Sequence, residues 1–238
     1  MLGKTKAIVL HSIKQGESGR IVKLYTETHG MCSVFLRATQ SKKRGSTAAL
    51  YQPLTVLDLD LEFRQDRSLQ KIISAELVTD EIGHLSDPLR SCVAMFMAEL
   101  FYRSLQEGES SDSLFSLLEG FIIKLGNDEN IAMLPIEFIL NLALFYGIYP
   151  DMESEGSILD LREGEFTSQR PIHNEVIDGA AVSALRLYRG MGFVGGASPV
   201  TREIRRELLE GMLLYFKIHI PHFSELKSYS VFKEVFSG

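Results

Sequence analysis

Apolar and polar residues alternate through the first part of the chain in a way that predicts β-strands. Residues 54–63 alternate strictly: Leu57, Leu59 and Leu61 point to one side and acidic residues to the other. This is the pattern of an antiparallel strand with one buried and one wet face. Shorter apolar runs predict four more strands, at residues 6–13, 20–26, 31–38 and 69–77. Five short strands in succession favour a small closed barrel, because closure removes the sheet edges.

After Thr79 the apolar period changes from two residues to about 3.6, which predicts helices. Residues 133–148 are apolar on nearly all sides, so this helix is expected at the centre of its domain. The acidic, glycine-dotted stretch 151–175 allows a small hairpin across residues 163–164. The remaining helices are predicted to begin at Asp87-Pro88, at Ser111-Asp112, after Asp178, after Thr201 and near Ser228. The chain is therefore predicted to be a two-domain α+β protein, with a barrel at residues 1–80 and an all-α domain at residues 81–238.

Charge is distributed unevenly along the 238 residues, whose net charge is −6. Residues 1–80 hold 12 Lys and Arg against 8 acidic residues, residues 81–177 hold 5 against 17, and residues 178–238 hold 8 against 6. A negative net charge argues against binding of nucleic acid. The two basic ends of the chain nevertheless permit a local binding site for a polyanion. The alternative is a solvated acidic helical surface with no role.

Composition excludes several classes of protein. No apolar run reaches the roughly 20 residues of a membrane span, and the stretch behind Lys4 and Lys6 is too short for a secretory signal. We therefore expect a cytoplasmic protein with no membrane partner. Cys32 and Cys92 form no CxxC pair, and His219 and His222 are separated by Pro221. We expect no metal, no cofactor and no catalytic site, because no motif of a nucleotide-binding loop, a hydrolase or a zinc protease is present.

The clearest candidate for chemistry is a basic tract between two predicted strands. Lys42, Lys43 and Arg44 stand among small residues that let backbone N–H groups approach phosphate. If the sheet closes, they form one basic face with further cations and with three aromatic residues that could stack bases. Those cations are Arg20, Lys23 and Arg37, and the aromatic residues are Tyr25, Phe35 and Tyr51. The alternatives are a solvated loop for the tract and the barrel core for the aromatic residues.

A second basic group lies at the start of the fifth predicted helix. Arg202, Arg205 and Arg206 have i, i+3 and i+4 spacing, so they share one helix face. Cations in the first turns oppose the helix dipole, and a bound anion would relieve that conflict. The alternative, which we weigh equally with anion binding, is that these arginines form ion pairs with Glu203, with Glu207 or with the acidic middle of the chain.

These residues resemble those of a known family, the bacterial recombination mediator RecO. The resemblance rests on the order of several short motifs. These motifs are dense in the first 80 residues and sparse in the helices. The motifs are Ala7 to Leu10, Gly16-Glu17-Ser18, Arg20 to Val22, Leu24-Tyr25-Thr26, His29-Gly30, Ser41 to Arg44, Leu50 with Gln52-Pro53-Leu54, Leu69 to Glu76 and Phe223 to Ser228.

The resemblance implies an OB-fold followed by a helical domain and a non-enzymatic role in DNA repair. It implies binding of single- and double-stranded DNA, strand annealing, and loading of recombinase onto DNA coated by single-strand-binding protein. The implied partners are RecR and the acidic C-terminal tail of single-strand-binding protein. The second hypothesis, from another class, is an adaptor that binds acidic tails and does not bind DNA. A hydrolase that uses the acidic middle region is a third and weaker hypothesis.

One departure from the family concerns zinc. Many relatives carry a four-cysteine zinc module after the third helix, whereas the matching insertion near residues 151–176 contains no cysteine. The sequence therefore predicts that this protein holds no zinc there. The role of the module is either lost or is met by the hairpin across residues 163–164.

Overall fold

The computed structural model describes residues 2–16, 19–37, 49–78, 87–105, 110–191 and 200–237. Five antiparallel strands come first, and six helices follow, so the architecture is α+β as predicted. The strands are β1 (Leu2–Gln15), β2 (Gly19–Thr26), β3 (Gly30–Arg37), β4 (Val56–Glu62) and β5 (Lys71–Leu77). Among the described residues, no helix is both long and apolar enough to cross a membrane.

The five strands form one sheet in the order β3-β2-β1-β4-β5. Its inner face is a closely packed apolar core, in which the alternating leucines of β4 are at most 2% exposed. This burial confirms the orientation predicted from the pattern of residues 54–63. The core residues are Ala7, Val9, Val22, Leu24, Cys32, Val34, Tyr51, Leu57, Leu59 and Leu61.

The prediction that the sheet closes into a complete barrel is wrong in one respect. Among the described residues, a single parallel bridge joins the two edges, from Val34 of β3 to Gln70, the residue before β5. There the Gln70 N–H donates to the Ser33 carbonyl at 2.7 Å. β3 ends at Arg37, shortly beyond this bridge, and β5 begins immediately after it. The two edges therefore overlap too little for a ladder of backbone hydrogen bonds.

The helices are α1 (Pro88–Ser104), α2 (Asp112–Asn127), α3 (Leu134–Phe145), α4 (Gly179–Met191), α5 (Arg202–His219) and α6 (Lys227–Ser237). Three predicted start signals are seen as side-chain caps. Asp87, Ser111 and Thr201 accept hydrogen bonds from backbone N–H groups two or three residues later, which satisfies donors that have no partner inside the helix.

The stretch after α3 contains more strand than the sequence predicts. The hairpin across residues 163–164 is present as β6 (Ile158–Asp160) and β7 (Glu165–Thr167). A third strand, β8 (Val176–Asp178), pairs with the other edge of β6. The sequence does not predict β8, because Asp178 is also a good helix cap and α4 begins one residue later.

Packing divides the chain into two units. One unit comprises residues 1–128 and 226–238, and the other comprises residues 129–225. Thus α1, α2 and α6 pack with the five-stranded sheet, while the small sheet packs with α3 to α5. Whether residues 1–80 form a domain that folds independently stays a prediction.

Candidate nucleic-acid interface

The basic tract Lys42-Lys43-Arg44 lies outside the described residues, but the structure shows where that segment begins. Arg37, the last residue of β3, pairs across the sheet with Gly19, the first residue of β2. Residues 38–48 therefore start from the end of the sheet where the β1–β2 hairpin turns. Any cation at that end lies near the point where the chain leaves β3 and enters this segment.

Arg20 and Lys23 do not share a face of the sheet. They lie three positions apart on β2, and an odd separation along a strand directs two side chains to opposite faces. Arg20 falls in register with Val22 and Leu24, which are buried in the sheet core. Lys23 lies on the outer face, where its Nζ donates to the Ser33 Oγ at 2.7 Å. The predicted single basic face that holds both residues is therefore wrong.

Arg20 has a different cationic neighbour, Lys14. The two residues are directly opposite in the β1–β2 ladder, so their side chains lie on the same face at the hairpin end. Among the described residues, no carboxylate pairs with either side chain. Like charges directly opposite in a sheet are unfavourable, and an anion at this point would relieve the repulsion. The sequence pattern does not indicate Lys14, because the position of its side chain beside Arg20 depends on the register of the hairpin.

The two other lysines of β1 lie opposite acidic residues and not opposite a cation. Lys4 is directly opposite Asp60 in the ladder, and Lys6 is opposite Asp58. Lys6 also forms an ion pair with Glu119 of α2 at 2.8 Å. These cations are neutralised locally and are poor candidates for binding a polyanion.

Basic and acidic residues are therefore separated along the first 80 residues. Residues 1–45 hold nine Lys and Arg against two acidic residues, and residues 46–80 hold three against six. The first group includes β1 to β3, and the second includes β4 and β5. The sheet has one basic half and one acidic half, and its hairpin end belongs to the basic half.

The three predicted stacking residues fall into two classes. Tyr25 and Tyr51 are 0% and 5% exposed, which places them in the core and not on a stacking surface. Phe35 is 41% exposed on the outer face of β3. Its ring lies so close to Gly19 that it occupies the space a Cβ at that position would need. Phe35 is therefore the one residue of this group that a ligand can reach.

The arginines at the start of α5 differ from one another in their surroundings. The Arg205 guanidinium donates to the Val200 carbonyl at 2.8 Å, so it holds the chain that enters the helix. The pKa of Glu203 is lowered by hydrogen bonds from its own N–H and the Thr201 hydroxyl, and then by the charges of Arg202 and Arg206. Arg206 is the exposed member of the three. These contacts favour the internal pairing that the sequence left open, and DNA binding by this face stays a prediction.

The cysteine-free stretch is held by charged side chains. The Arg162 guanidinium lies 3.1 Å from the two oxygens of Glu175, and His173 Nε2 lies 3.2 Å from Asp160 Oδ2. Arg186 of α4 lies 4.0 Å from the centre of the Phe166 ring. Within the described part of the chain, no group of three or more His, Cys, Asp and Glu is arranged to hold a metal ion.

Two family models match nearly the whole chain. The model described as "Recombination protein O N terminal" matches residues 1–80, and the one described as "Recombination protein O C terminal" matches residues 85–230. The first describes an OB-fold domain, which confirms the predicted fold of the N-terminal sheet.

Full-length relatives agree with these models. The chain is 32% identical to the DNA repair protein RecO of Bacteroides fragilis, over 99% of this chain and all of that protein. It is 32% identical to the protein of the same name from Phocaeicola vulgatus, over the full length of both. Identity to the corresponding protein of Christiangramia forsetii is 29%, over 99% of this chain and all of the relative.

Proposed function

The chain belongs to the RecO family of DNA repair and recombination proteins, and from this premise we propose that it is a non-enzymatic mediator that binds DNA through the phosphate backbone. In this role it binds single- and double-stranded DNA, promotes annealing, and loads recombinase together with RecR on DNA coated by single-strand-binding protein. RecR and the acidic tail of single-strand-binding protein are its proposed protein partners.

The observation that carries the proposal is the cationic hairpin end of the sheet. Lys14 and Arg20 lie opposite each other there, and the segment with Lys42, Lys43 and Arg44 starts from the same end. Phosphate contacts fix the position of DNA without reading its sequence. A cluster of this kind suits a protein that acts on DNA of any sequence.

The net charge of −6 does not oppose this proposal. Coulomb interactions between exposed charges are screened beyond about 10 Å at ordinary salt concentrations. A phosphate near the hairpin end is therefore affected mainly by the basic half of the sheet. Because the binding releases counterions from the DNA, its affinity falls as salt rises.

Reversal of the basic tract tests the proposal. We expect Lys42→Glu, Lys43→Glu and Arg44→Glu together to weaken binding of a labelled oligonucleotide and to flatten its salt dependence, as measured by fluorescence anisotropy. The matched control reverses Arg64, Arg67 and Lys71, three exposed cations in the acidic half of the sheet. This control has the same total charge but leaves the hairpin end intact.

Two outcomes would contradict DNA binding at this end. One is equal DNA affinity for the wild type and the tract variant at about 50 mM salt. The other is equal weakening by the tract variant and the control, because that result would reflect net charge only. Retained binding of an acidic tail peptide with no DNA binding by the wild type would instead support the adaptor hypothesis.

A further inference from the structure

β5 is an edge strand of the five-stranded sheet, and one side of its backbone has no partner among the described residues. It is the last strand in the order β3-β2-β1-β4-β5, and the bridge from Val34 reaches only Gln70, the residue before it. All seven of its residues are at least partly exposed. Because an open strand edge is a template for pairing with another chain, this edge is a candidate docking surface.

The ladder with β4 shows which backbone groups of β5 face outwards. The Val78 N–H donates to the Val56 carbonyl at 3.1 Å, and in an antiparallel ladder the hydrogen-bonded pairs alternate. Glu76 therefore directs its backbone towards β4, whereas Ala75 and Leu77 direct theirs away from it. Two N–H and two C=O groups thus point to the open side, and no described residue forms a hydrogen bond with them.

A β-bulge limits the usable part of this edge to its second half. Ser74 pairs with Asp60 and Ile72 pairs with Leu61, so Ile73 is an extra residue without an opposite partner. Bulges at the edge of a sheet interrupt regular pairing. Pairing with an incoming strand is therefore confined to residues 74–77.

The outer face of this edge carries two carboxylates that repel each other. Glu76 lies directly opposite Asp58, and like charges directly opposite in a sheet are unfavourable. Lys6 is opposite Asp58 on its other side, but its Nζ lies 2.8 Å from Glu119 of α2. Among the described residues, neither Asp58 nor Glu76 forms an ion pair. A cation on a strand beyond Glu76 would relieve the repulsion.

The inner face of the same edge is apolar. Ala75 and Leu77 pack against the sheet core but stay only partly buried, because no described strand lies beyond them. A strand added there would bury more of both side chains if its own inward residues were apolar. The two faces together match a strand in which apolar and basic residues alternate.

β1 already pairs with the other edge of β4 in this way. Lys4 lies opposite Asp60 and Lys6 lies opposite Asp58, while Ala7 belongs to the sheet core. A strand with lysines at alternate positions thus covers the acidic row of β4 on one side. On the other side β5 brings Glu76 and no cation at the matching position.

We propose that residues 74–77 of β5 bind, by strand addition, an extended segment of a partner protein in which basic and apolar residues alternate. Backbone hydrogen bonds to Ala75 and Leu77 supply the affinity, and a cation opposite Glu76 supplies the selectivity. The surface lies in the acidic half of the sheet and not at the cationic hairpin end. The inference therefore goes beyond the proposed function and does not depend on DNA binding.

Binding of labelled peptides to the full chain tests the inference. The probe is a short peptide in which valine and lysine alternate, and the reference is the same peptide with glutamate in place of lysine. We expect the wild type to bind the lysine peptide and not the glutamate peptide, as measured by fluorescence anisotropy. The lysine peptide should also slow hydrogen exchange of the Ala75 and Leu77 N–H groups, because both become hydrogen-bonded.

Ala75→Pro tests the backbone edge without any change of charge. It removes one outward N–H and leaves the ladder with β4 intact, and proline is accommodated on a strand edge whose N–H faces solvent. We expect the lysine peptide to bind at least about tenfold more weakly. Ala75→Ser is the matched control, because it keeps the N–H and should retain the wild-type affinity.

Glu76→Lys tests the charge and keeps the backbone edge. The lysine peptide should bind more weakly to this variant, and the glutamate peptide should now bind. The matched control is Glu129→Lys, which reverses an exposed carboxylate outside the sheet and gives the same net charge. This control should leave both affinities unchanged.

The inference is wrong if the wild type does not bind the lysine peptide, or if Ala75→Pro binds it as tightly as Ala75→Ser. It is also wrong if Glu129→Lys weakens binding as much as Glu76→Lys, because net charge alone would then explain the result. If Ala75→Pro does not fold, unchanged hydrogen exchange at Ala75 and Leu77 in the wild type overturns the inference. No arm of the test contains DNA, so its failure is distinct from failure of the proposed function.

Discussion

The hydroxyl of Tyr25 accepts a hydrogen bond from the backbone N–H of Ser111 at 3.2 Å. Tyr25 lies on β2, and Ser111 is the residue that caps α2. The same tyrosine ring packs against Phe101 and Phe115, and none of its surface is exposed. One side chain thus joins the sheet to two helices of the same unit.

Tyr25→Phe tests the importance of that connection. The change keeps the ring and leaves the Ser111 N–H without its partner, so we expect the free energy of unfolding to fall by about 1 kcal/mol. Urea denaturation measures it. Tyr102→Phe is the control, because the described residues show only ring contacts for Tyr102. Equal stability of the wild type and Tyr25→Phe would show that the hydrogen bond contributes nothing.

The anchoring of α6 should depend on pH through Glu99. Burial alone would raise the pKa of this carboxyl, but hydrogen bonds from Ser228 and from the Lys227 N–H, with the charge of Arg103, outweigh burial and lower the pKa. A group whose pKa is lowered on folding contributes stability above its unfolded value, here about 4.5, and that stability is lost as pH falls through the folded value.

We expect the wild type to lose stability more steeply than Glu99→Gln as the pH falls below about 5. Glutamine does not titrate, so this variant should be less stable than the wild type at pH 7 and closer to it in acid. Unfolding in urea at a series of pH values measures the difference. Parallel pH profiles for the two proteins would mean that Glu99 does not hold α6 through its charge.

Lys14→Glu should change stability and DNA affinity in opposite directions. The new carboxylate lies opposite Arg20 and replaces a like-charge pair by an attractive pair, so stability should rise slightly. DNA binding should weaken, because the cluster loses a cation and gains an anion. Lys4→Glu is the control: it places a carboxylate opposite Asp60, so stability should fall while DNA affinity stays the same. A fall in stability for Lys14→Glu would contradict the proposed repulsion.

Two arginines of α5 should differ in whether they affect stability or DNA binding. Arg205→Ala removes a hydrogen bond to the Val200 carbonyl, so we expect a lower melting temperature. Arg206→Ala removes an exposed cation and should leave the melting temperature unchanged, while DNA affinity falls slightly at low salt. If both variants bind DNA like the wild type, the basic face of α5 serves internal pairing alone.

Arg186 should stabilise the cysteine-free stretch near residues 151–176. Its guanidinium lies over Phe166 and donates to the carbonyls of Ser154 and Gly156 at 2.9 and 3.1 Å. We expect Arg186→Met to lower the free energy of unfolding by about 2 kcal/mol, the range for hydrogen bonds to charged groups. Thermal unfolding with and without EDTA measures the change. A melting temperature of the wild type that falls with the chelator would show that a metal contributes.

The sequence predicted the positions of strands and helices better than the faces and neighbours of their side chains. Strict alternation placed β4, and capping residues such as Asp87 and Thr201 placed the starts of helices, because these signals are local. The faces of β1 could not be predicted, since a register shift between Val9 and His11 reverses the alternation within that strand. Only after this shift does Ile13 lie on the same face as Phe35.

The same limit explains the errors at the candidate site. Arg20 and Lys23 are close in sequence but on opposite faces, and Lys14 becomes important only through its partner across the hairpin. Leu54 adopts a left-handed backbone with φ of 61°, which a sequence pattern does not indicate for leucine. Its N–H donates to the Val9 carbonyl at 2.7 Å, next to the register shift. Tertiary contacts, and not local propensity, determine these features.

The division of the sheet into a basic and an acidic half also affects how fast the protein meets its ligand. A molecule with charges of opposite sign on two sides turns in the field of a polyanion before contact. For the DNA ligand that we propose, the basic half would be attracted and the acidic half repelled, so productive orientations would be enriched among collisions. Under the proposed function, a protein with a negative net charge would then approach DNA quickly by the hairpin end of its sheet, while its acidic surfaces would disfavour other contacts with nucleic acid.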